Sequence, residues 1–171
     1  MKTIPQIIGT FYADNFIEHL RNDLITKLSW MEYVFPAVQV GEDIDNKKRF
    51  PQIYCNDGTM ETMAILPDTK VKSFIFFEIE NIRYGKDPLA ENEYNINLIC
   101  WYNLKIIQKL SFNYDSILQA EIIDILQLND CYNINNSYES AFSKYGKVEN
   151  NLFPYGSFKL NFSVKKAKII C

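Results

Sequence analysis

This chain has a single histidine, His19, among its 171 residues. A Ser-His-Asp or Cys-His site has to recruit it, yet it lies in a helical segment between Glu18 and Leu20 with no nucleophile beside it, so it is expected on the surface. Cysteine is equally thin: Cys55, Cys100, Cys131 and Cys171 are scattered and form no Cys-x-x-Cys pair. That spacing speaks against zinc, and reduced thiols are expected. Gly9, Gly41, Gly58, Gly85, Gly146 and Gly156 stand alone, which leaves neither a Walker loop nor a dinucleotide fingerprint. No apolar run approaches the roughly 18 residues that span a bilayer, and the segment from Met1 to Gly9 lacks the long apolar stretch and small-residue cleavage site of a secretory signal. A soluble intracellular protein without a membrane partner is therefore expected. An excess of positive charge is missing as well: a net charge of -3 and a pI near 5.2 give no global attraction to nucleic acid or anionic lipid. Only a local basic patch remains open to such partners, and no catalytic residue, cofactor or metal is expected.

What the chain does have is material for a core. With 47% hydrophobic and 15% aromatic residues, its length buries about two-thirds of the unfolded surface, as one domain over 1–171. Asn, Ile, Lys and Tyr are conspicuous, as in Asn133-Ile134-Asn135-Asn136, a bias that fits an AT-rich coding genome better than any physical demand.

The order of elements is the informative pattern. Asp14 or Asn15 is suited to cap a helix over about 14–31, in which Phe16, Ile17, Leu20, Leu24, Leu28 and Met31 recur at helical spacing and Glu18, Arg21, Asp23 and Lys27 take the other side. Residues 33–40 read as a strand, with Pro36 marking an edge or a bulge. Strands over 49–55 and 59–65 flank Asn56-Asp57-Gly58, a tight-turn sequence, and predict a hairpin. A long apolar strand over 73–82 and an alternating one over 93–104 are expected to pair antiparallel around the polar loop between Arg83 and Asn92. A second helix over 116–128 is signalled by Ser116-Ile117-Leu118-Gln119 as a capping box, with Asp115 at the same end and Ile117, Leu118, Ile122, Ile125 and Leu126 as its buried face. Residues 129–151 read as a long polar connection with one helical turn near Tyr138 to Phe142, and 157–164 as a strand with one buried and one wet face. The expectation is an α+β fold: a mostly antiparallel sheet of about five to six strands packed against two main helices.

That order resembles the tail-terminator and neck (head-to-tail connector) ring proteins of tailed bacteriophages. The resemblance rests on the opening helix running into Tyr33-Val34-Phe35-Pro36-Ala37-Val38, on the strand Tyr94 to Leu104 leading to the helix at Ser116, and on the closing strand; the connection over 129–151 departs from it. It implies a structural virion subunit, assembled in the host cytoplasm, that forms a homo-oligomeric ring, contacts portal, neck and tail proteins, and performs no catalysis. Ring contacts are head-to-tail, so each subunit needs two different complementary surfaces. Trp30, Tyr33, Arg83, Tyr84, Lys86, Trp101 and Tyr102 are candidate interface residues, because aromatic side chains dominate interface energetics. The plain alternative is that the aromatic ones are core or sheet-face residues. Lys165, Lys166 and Lys168 are candidates to face packaged DNA in the lumen, against the alternative of a solvated tail.

An enzymatic reading has one foothold. Pro67-Asp68, followed by Glu78-Ile79-Glu80, approximates the Pro-Asp and Glu-x-Lys arrangement of restriction-type nucleases, in which two carboxylates hold a divalent metal and the lysine helps activate water. Glutamate stands where the lysine belongs, and the acidic balance lacks a phosphate-binding surface. Glu78 and Glu80 are instead expected on the wet face of an alternating strand. The main rival to a virion subunit is a small intracellular binding or adaptor protein outside any virion.

Overall fold

Strict alternation places every second side chain of a strand on one face, and three long segments of this chain alternate around shared apolar positions. In the computed structural model, which describes residues 12–43, 48–56, 60–64, 70–86, 91–107, 114–137, 141–145 and 154–166, these segments are β5 (Ser73–Arg83), β6 (Asn92–Asn103) and β8 (Tyr155–Lys166). They form the centre of a five-stranded sheet ordered β1-β5-β6-β8-β7, edged by β1 (Tyr33–Ala37) and β7 (Tyr132–Asn136). A second sheet of three antiparallel strands contains β2 (Gln39–Asp43), β3 (Lys48–Asn56) and β4 (Met60–Ala64). The helices are α1 (Tyr12–Lys27), the single turn α2 (Leu104–Ile107) and α3 (Tyr114–Leu128), so the fold is α+β.

Helices α1 and α3 cover one face of the larger sheet. Ile75 and Phe77 of β5, Ile96, Leu98 and Cys100 of β6, and Phe158, Leu160, Phe162 and Val164 of β8 meet Ile17, Leu20 and Leu24 of α1 and Leu118, Ile122 and Leu126 of α3 in one buried cluster. The residues that follow each helix tie it to the other: after α1, the Trp30 indole donates to Glu121 Oε2 at 2.5 Å, and after α3, Asn129 Nδ2 donates to Asp23 Oδ2 at 3.1 Å.

Several sequence expectations need correction. The first helix ends at Lys27, because Trp30 and Met31 reach the core from a turn that begins after Leu28 and is closed by Met31 N–H to Leu28 C=O at 3.0 Å. The strand expected over 33–40 is broken at Val38, whose N–H turns to Phe77 C=O at 2.8 Å, and the chain then passes to the second sheet. The expected sheet is present with five strands and mostly antiparallel pairing, but the strands expected over 49–55 and 59–65 leave it for the second sheet, and β1 runs parallel to β5 with a register slip between Val34 and Ala37, around Pro36. The β3–β4 pairing is present, from Asn56↔Met60 to Gln52↔Ala64. Helix α3 starts at Tyr114, which puts Ser116 inside the first turn and not at the cap, and Ile117 is 44% exposed where a buried position was expected. Residues 129–151 hold β7, which was unforeseen, and a 3-10 turn at Ser143–Tyr145, just past the helical turn expected near Tyr138 to Phe142; Tyr138 lies outside the described residues. Asp130 and Asn133 adopt positive φ, of 60° and 52°, which residues of this type tolerate best; the first lets the chain turn from α3 into β7, and the second lies at the register slip of β7 against β8.

Candidate functional site

The face of the larger sheet away from the helices is organised in rows that cross β5, β6 and β8. Phe74, Trp101 and Ser157 oppose one another in the first row and Phe76, Ile99 and Lys159 in the second. Glu78, Asn97 and Asn161 make the third, which Asn135 of β7 extends. The fourth is Asn81, Asn95 and Ser163, and the last is Arg83, Glu93 and Lys165. Polarity therefore rises steadily along the strands, from an aromatic end to a charged one.

The aromatic end is capped by Ala141, Phe142 and Tyr145, which bury Phe74, Phe76, Ile99 and Trp101. Trp101 stacks between Phe74, 5.4 Å away, and Tyr155, 5.6 Å away, and Phe142 meets Phe74 edge-on at 6.3 Å. The capping segment is pinned by one carboxylate. Glu78, only 7% exposed, accepts from Tyr145 OH on one oxygen and from Lys144 Nζ (3.2 Å) and Asn97 Nδ2 (3.3 Å) on the other. Burial and the hydrogen bond to Glu78 push the Tyr145 phenol well above the ordinary tyrosine range. Both oxygens of Glu78 are thus engaged in holding the turn, which corrects its expected place on a wet face. Glu80, at the strand's exposed end, lies 3.9 Å from Lys144. Asp68 and Pro67 lie outside the described residues. Among the described residues, no group of three His, Cys, Asp or Glu side chains is arranged to hold a metal ion.

The charged end is open. Arg83 NH1 pairs loosely with Glu93 Oε2 at 3.4 Å, Tyr132 OH donates to Glu93 Oε1 at 2.8 Å, and Lys165 Nζ sits 5.8 Å above the Tyr132 ring. Beyond this row the β5–β6 hairpin carries Tyr84, 71% exposed, and the exposed Lys86.

The proposed anchors therefore separate into two groups. Trp30, Trp101 and Tyr102 are buried within the chain: Trp30 between the helices, Trp101 in the aromatic stack, and Tyr102 with its OH on Asp115. Tyr33 is half-buried and stacks on Phe35 at 5.9 Å. Only Arg83, Tyr84 and Lys86 stand together on the surface. Lys165 is exposed beside them, Lys166 lies 4.8 Å over the Phe16 ring, and Lys168 falls outside the described residues. His19 is exposed on α1, and Cys100 and Cys131 are buried free thiols, both pushed upward by burial, Cys131 to about 12. Thiols held protonated in this way are poor nucleophiles.

Sequence reasoning missed a second exposed feature, the outer side of α3. Leu128 is 73% exposed, and with Ile117, Ala120 and Asp124 it forms a surface ridge at three- and four-residue spacing. The helix holds more aliphatic residues than one buried face can take, and its only charges are acidic, but this pattern does not say which of the aliphatic residues is left outside.

No helix among the described residues is long and apolar enough to cross a membrane. The chain matches no protein-family model, and no match is found among curated proteins.

Proposed function

We propose that this chain is a structural subunit of a tailed-bacteriophage virion that assembles into a ring at the neck, in the manner of a tail terminator, without catalysis. The reading rests on analogy at the level of element order. Its principal support is that α1, β1, the β3–β4 hairpin, the long β5–β6 pair around an exposed tip, α3 and β8 follow one another as the resemblance requires. The use of Glu78 as a pin for the 3-10 turn fits a structural role better than a catalytic one, since both of its oxygens already accept hydrogen bonds, from Tyr145 on one and from Lys144 and Asn97 on the other. On this reading the partners are copies of the same chain, the portal or neck and tail proteins above and below it, and DNA passing near Lys165, Lys166 and Lys168.

Light scattering on the purified protein over a tenfold concentration range at moderate salt tests the proposal. A species of about six or about twelve subunits, seen as rings by electron microscopy, is the expected result. A monomer at every concentration overturns it and favours the adaptor reading.

A further inference from the structure

A head-to-tail ring needs two unlike surfaces that fit each other, and this chain exposes two such surfaces at different places. The first is the hairpin tip, where Arg83, Tyr84 and Lys86 combine two cations with an exposed aromatic ring. The second is the outer ridge of α3, where exposed Ile117, Ala120 and Leu128 surround Asp124. We propose that the tip of one copy docks on the outer ridge of α3 of the next, with Tyr84 on the aliphatic side chains and Lys86 and Arg83 against Asp124. The inference rests on the ring reading and names the surfaces that make the ring.

Charge and chemistry carry the assignment. Helix α3 has three acids, Asp115, Glu121 and Asp124, and no basic residue. Two of them are engaged inside the chain, Asp115 by Tyr102 OH and Glu121 by the Trp30 indole, whereas Asp124 has no partner among the described residues. Lys86 likewise has none among them, and Arg83 has only its long contact with Glu93. Unsatisfied charges of opposite sign on the two surfaces fix register between copies. The apolar parts agree: tyrosine and arginine are the side chains that most often anchor an interface, and a ridge of aliphatic groups gives a ring a dry surface to lie on. Helix α1 offers the contrast, because two of its acids are already paired within the helix, Asp23 with Lys27 at 2.8 Å and Glu18 with the buried Arg21.

The two surfaces also point differently. The buried side chains Leu118, Ile122, Ile125 and Leu126 hold the opposite side of α3 to the sheet, so the ridge faces away from the strands, while Tyr84 and Lys86 follow the end of β5. Contact between unlike patches is heterologous and propagates from copy to copy until the rotation closes.

Three variants of the full chain test this: Lys86→Glu, Asp124→Lys, and the double swap carrying both. All three alter exposed side chains, and far-ultraviolet circular dichroism spectra identical to the parent confirm that each folds. The association midpoint is read by light scattering. The docking predicts that each single reversal raises the midpoint concentration by about tenfold or more, through like charges at the contact, and that the double swap returns it toward the parent value. If the parent assembles and the single variants assemble equally well, or the double swap fails to restore them, the docking is overturned while the ring reading stands. If the parent is monomeric at every concentration, the ring reading itself fails and the docking with it.

Discussion

The two faces of the five-stranded sheet are built on the same strands and held by different physics. On the helix side, Leu98, Leu160, Phe162 and their neighbours bury apolar surface against α1 and α3 along the strands. On the other side only the first two rows carry apolar side chains, and the covering 141–145 segment is held by the polar bonds of Glu78. Burial on the first face is non-directional and spread over many side chains; on the second, much depends on one carboxylate. Single substitutions should separate the two.

The largest effect is expected where the comparison is sharpest, at two consecutive residues of β8 that point to opposite faces. Leu160 is fully buried under the helices, and Leu160→Ala should cost about 3 kcal/mol, through lost transfer energy and the cavity left behind. Asn161, next to it, has a buried Oδ1 that accepts no hydrogen bond among the described residues, as does Asn97 Oδ1 across from it. A buried unsatisfied acceptor costs its desolvation, so Asn161→Val should leave stability unchanged or raise it by up to about 1 kcal/mol. Chemical denaturation of both variants reads the difference, and equal losses would erase the distinction between the faces.

Glu78→Ala comes next, at about 2 kcal/mol, because Tyr145 OH, Lys144 and Asn97 Nδ2 lose their common acceptor in a buried place. Hydrogen exchange locates the effect: protection should fall first at Phe142 to Tyr145, with α1 and α3 unchanged. Loss spread evenly over the molecule would mean that the segment is not an independently pinned cap.

These two faces were not equally legible in the sequence. Alternation in β6 and β8 disclosed the helix-side face, since period-two apolar residues need only a hydrophobic partner of any kind. The opposite face defeated the same rule. Lys159 and Ser163 alternate as wet residues do, and Glu78 does too, yet all three are buried, because their cover comes from elsewhere in the fold and no local pattern announces it. The passage of the chain at Val38 from one sheet to the other was invisible for a similar reason: residues 33–40 read as one strand, and the break depends on a hydrogen bond to Phe77, distant in sequence. Of the surface candidates, Arg83, Tyr84 and Lys86 were readable from a polar loop between two long strands. The α3 ridge was not, because Ile117 fits a buried helical stripe as well as an exposed one.

Gly156→Ala tests a contact at the junction of β8 with β6. A Cβ at this position would overlap the Tyr102 ring, which is buried and held by Asp115, so the ring has no room to yield. A loss of about 1 to 2 kcal/mol is expected from this overpacking, read as a lower melting temperature. Pairing it with Tyr102→Phe separates ring from hydroxyl: the nearest atom is the phenol oxygen, so removing it should recover part of the loss, and strict additivity of the two changes would argue against a direct clash.

The smallest effect concerns the charged end of the outer face and appears only in alkali. Partial burial, followed by the hydrogen bond to Glu93, raises the Tyr132 phenol from 10.0 to about 12, with Arg83 pulling the other way. In the unfolded chain the same phenol releases its proton near pH 10, so between about pH 10 and 12 unfolding releases protons and rising pH favours it. The contribution of Tyr132 is therefore complete below pH 10 and is lost on the way to pH 12. Tyr132→Phe should lower stability at pH 8 by about 1 kcal/mol, the worth of the bond to Glu93, and should fall less steeply above pH 10 than the parent does. Some slope must remain, because Tyr102 and Tyr145 are also held above the ordinary tyrosine range by burial and by their carboxylate partners, one on each face of the sheet. Parallel stability curves for parent and variant from pH 9 to 12 would show that Glu93 does not hold the Tyr132 proton, and would leave the charged row to the Arg83 contact with Glu93 and to Lys165 over the Tyr132 ring.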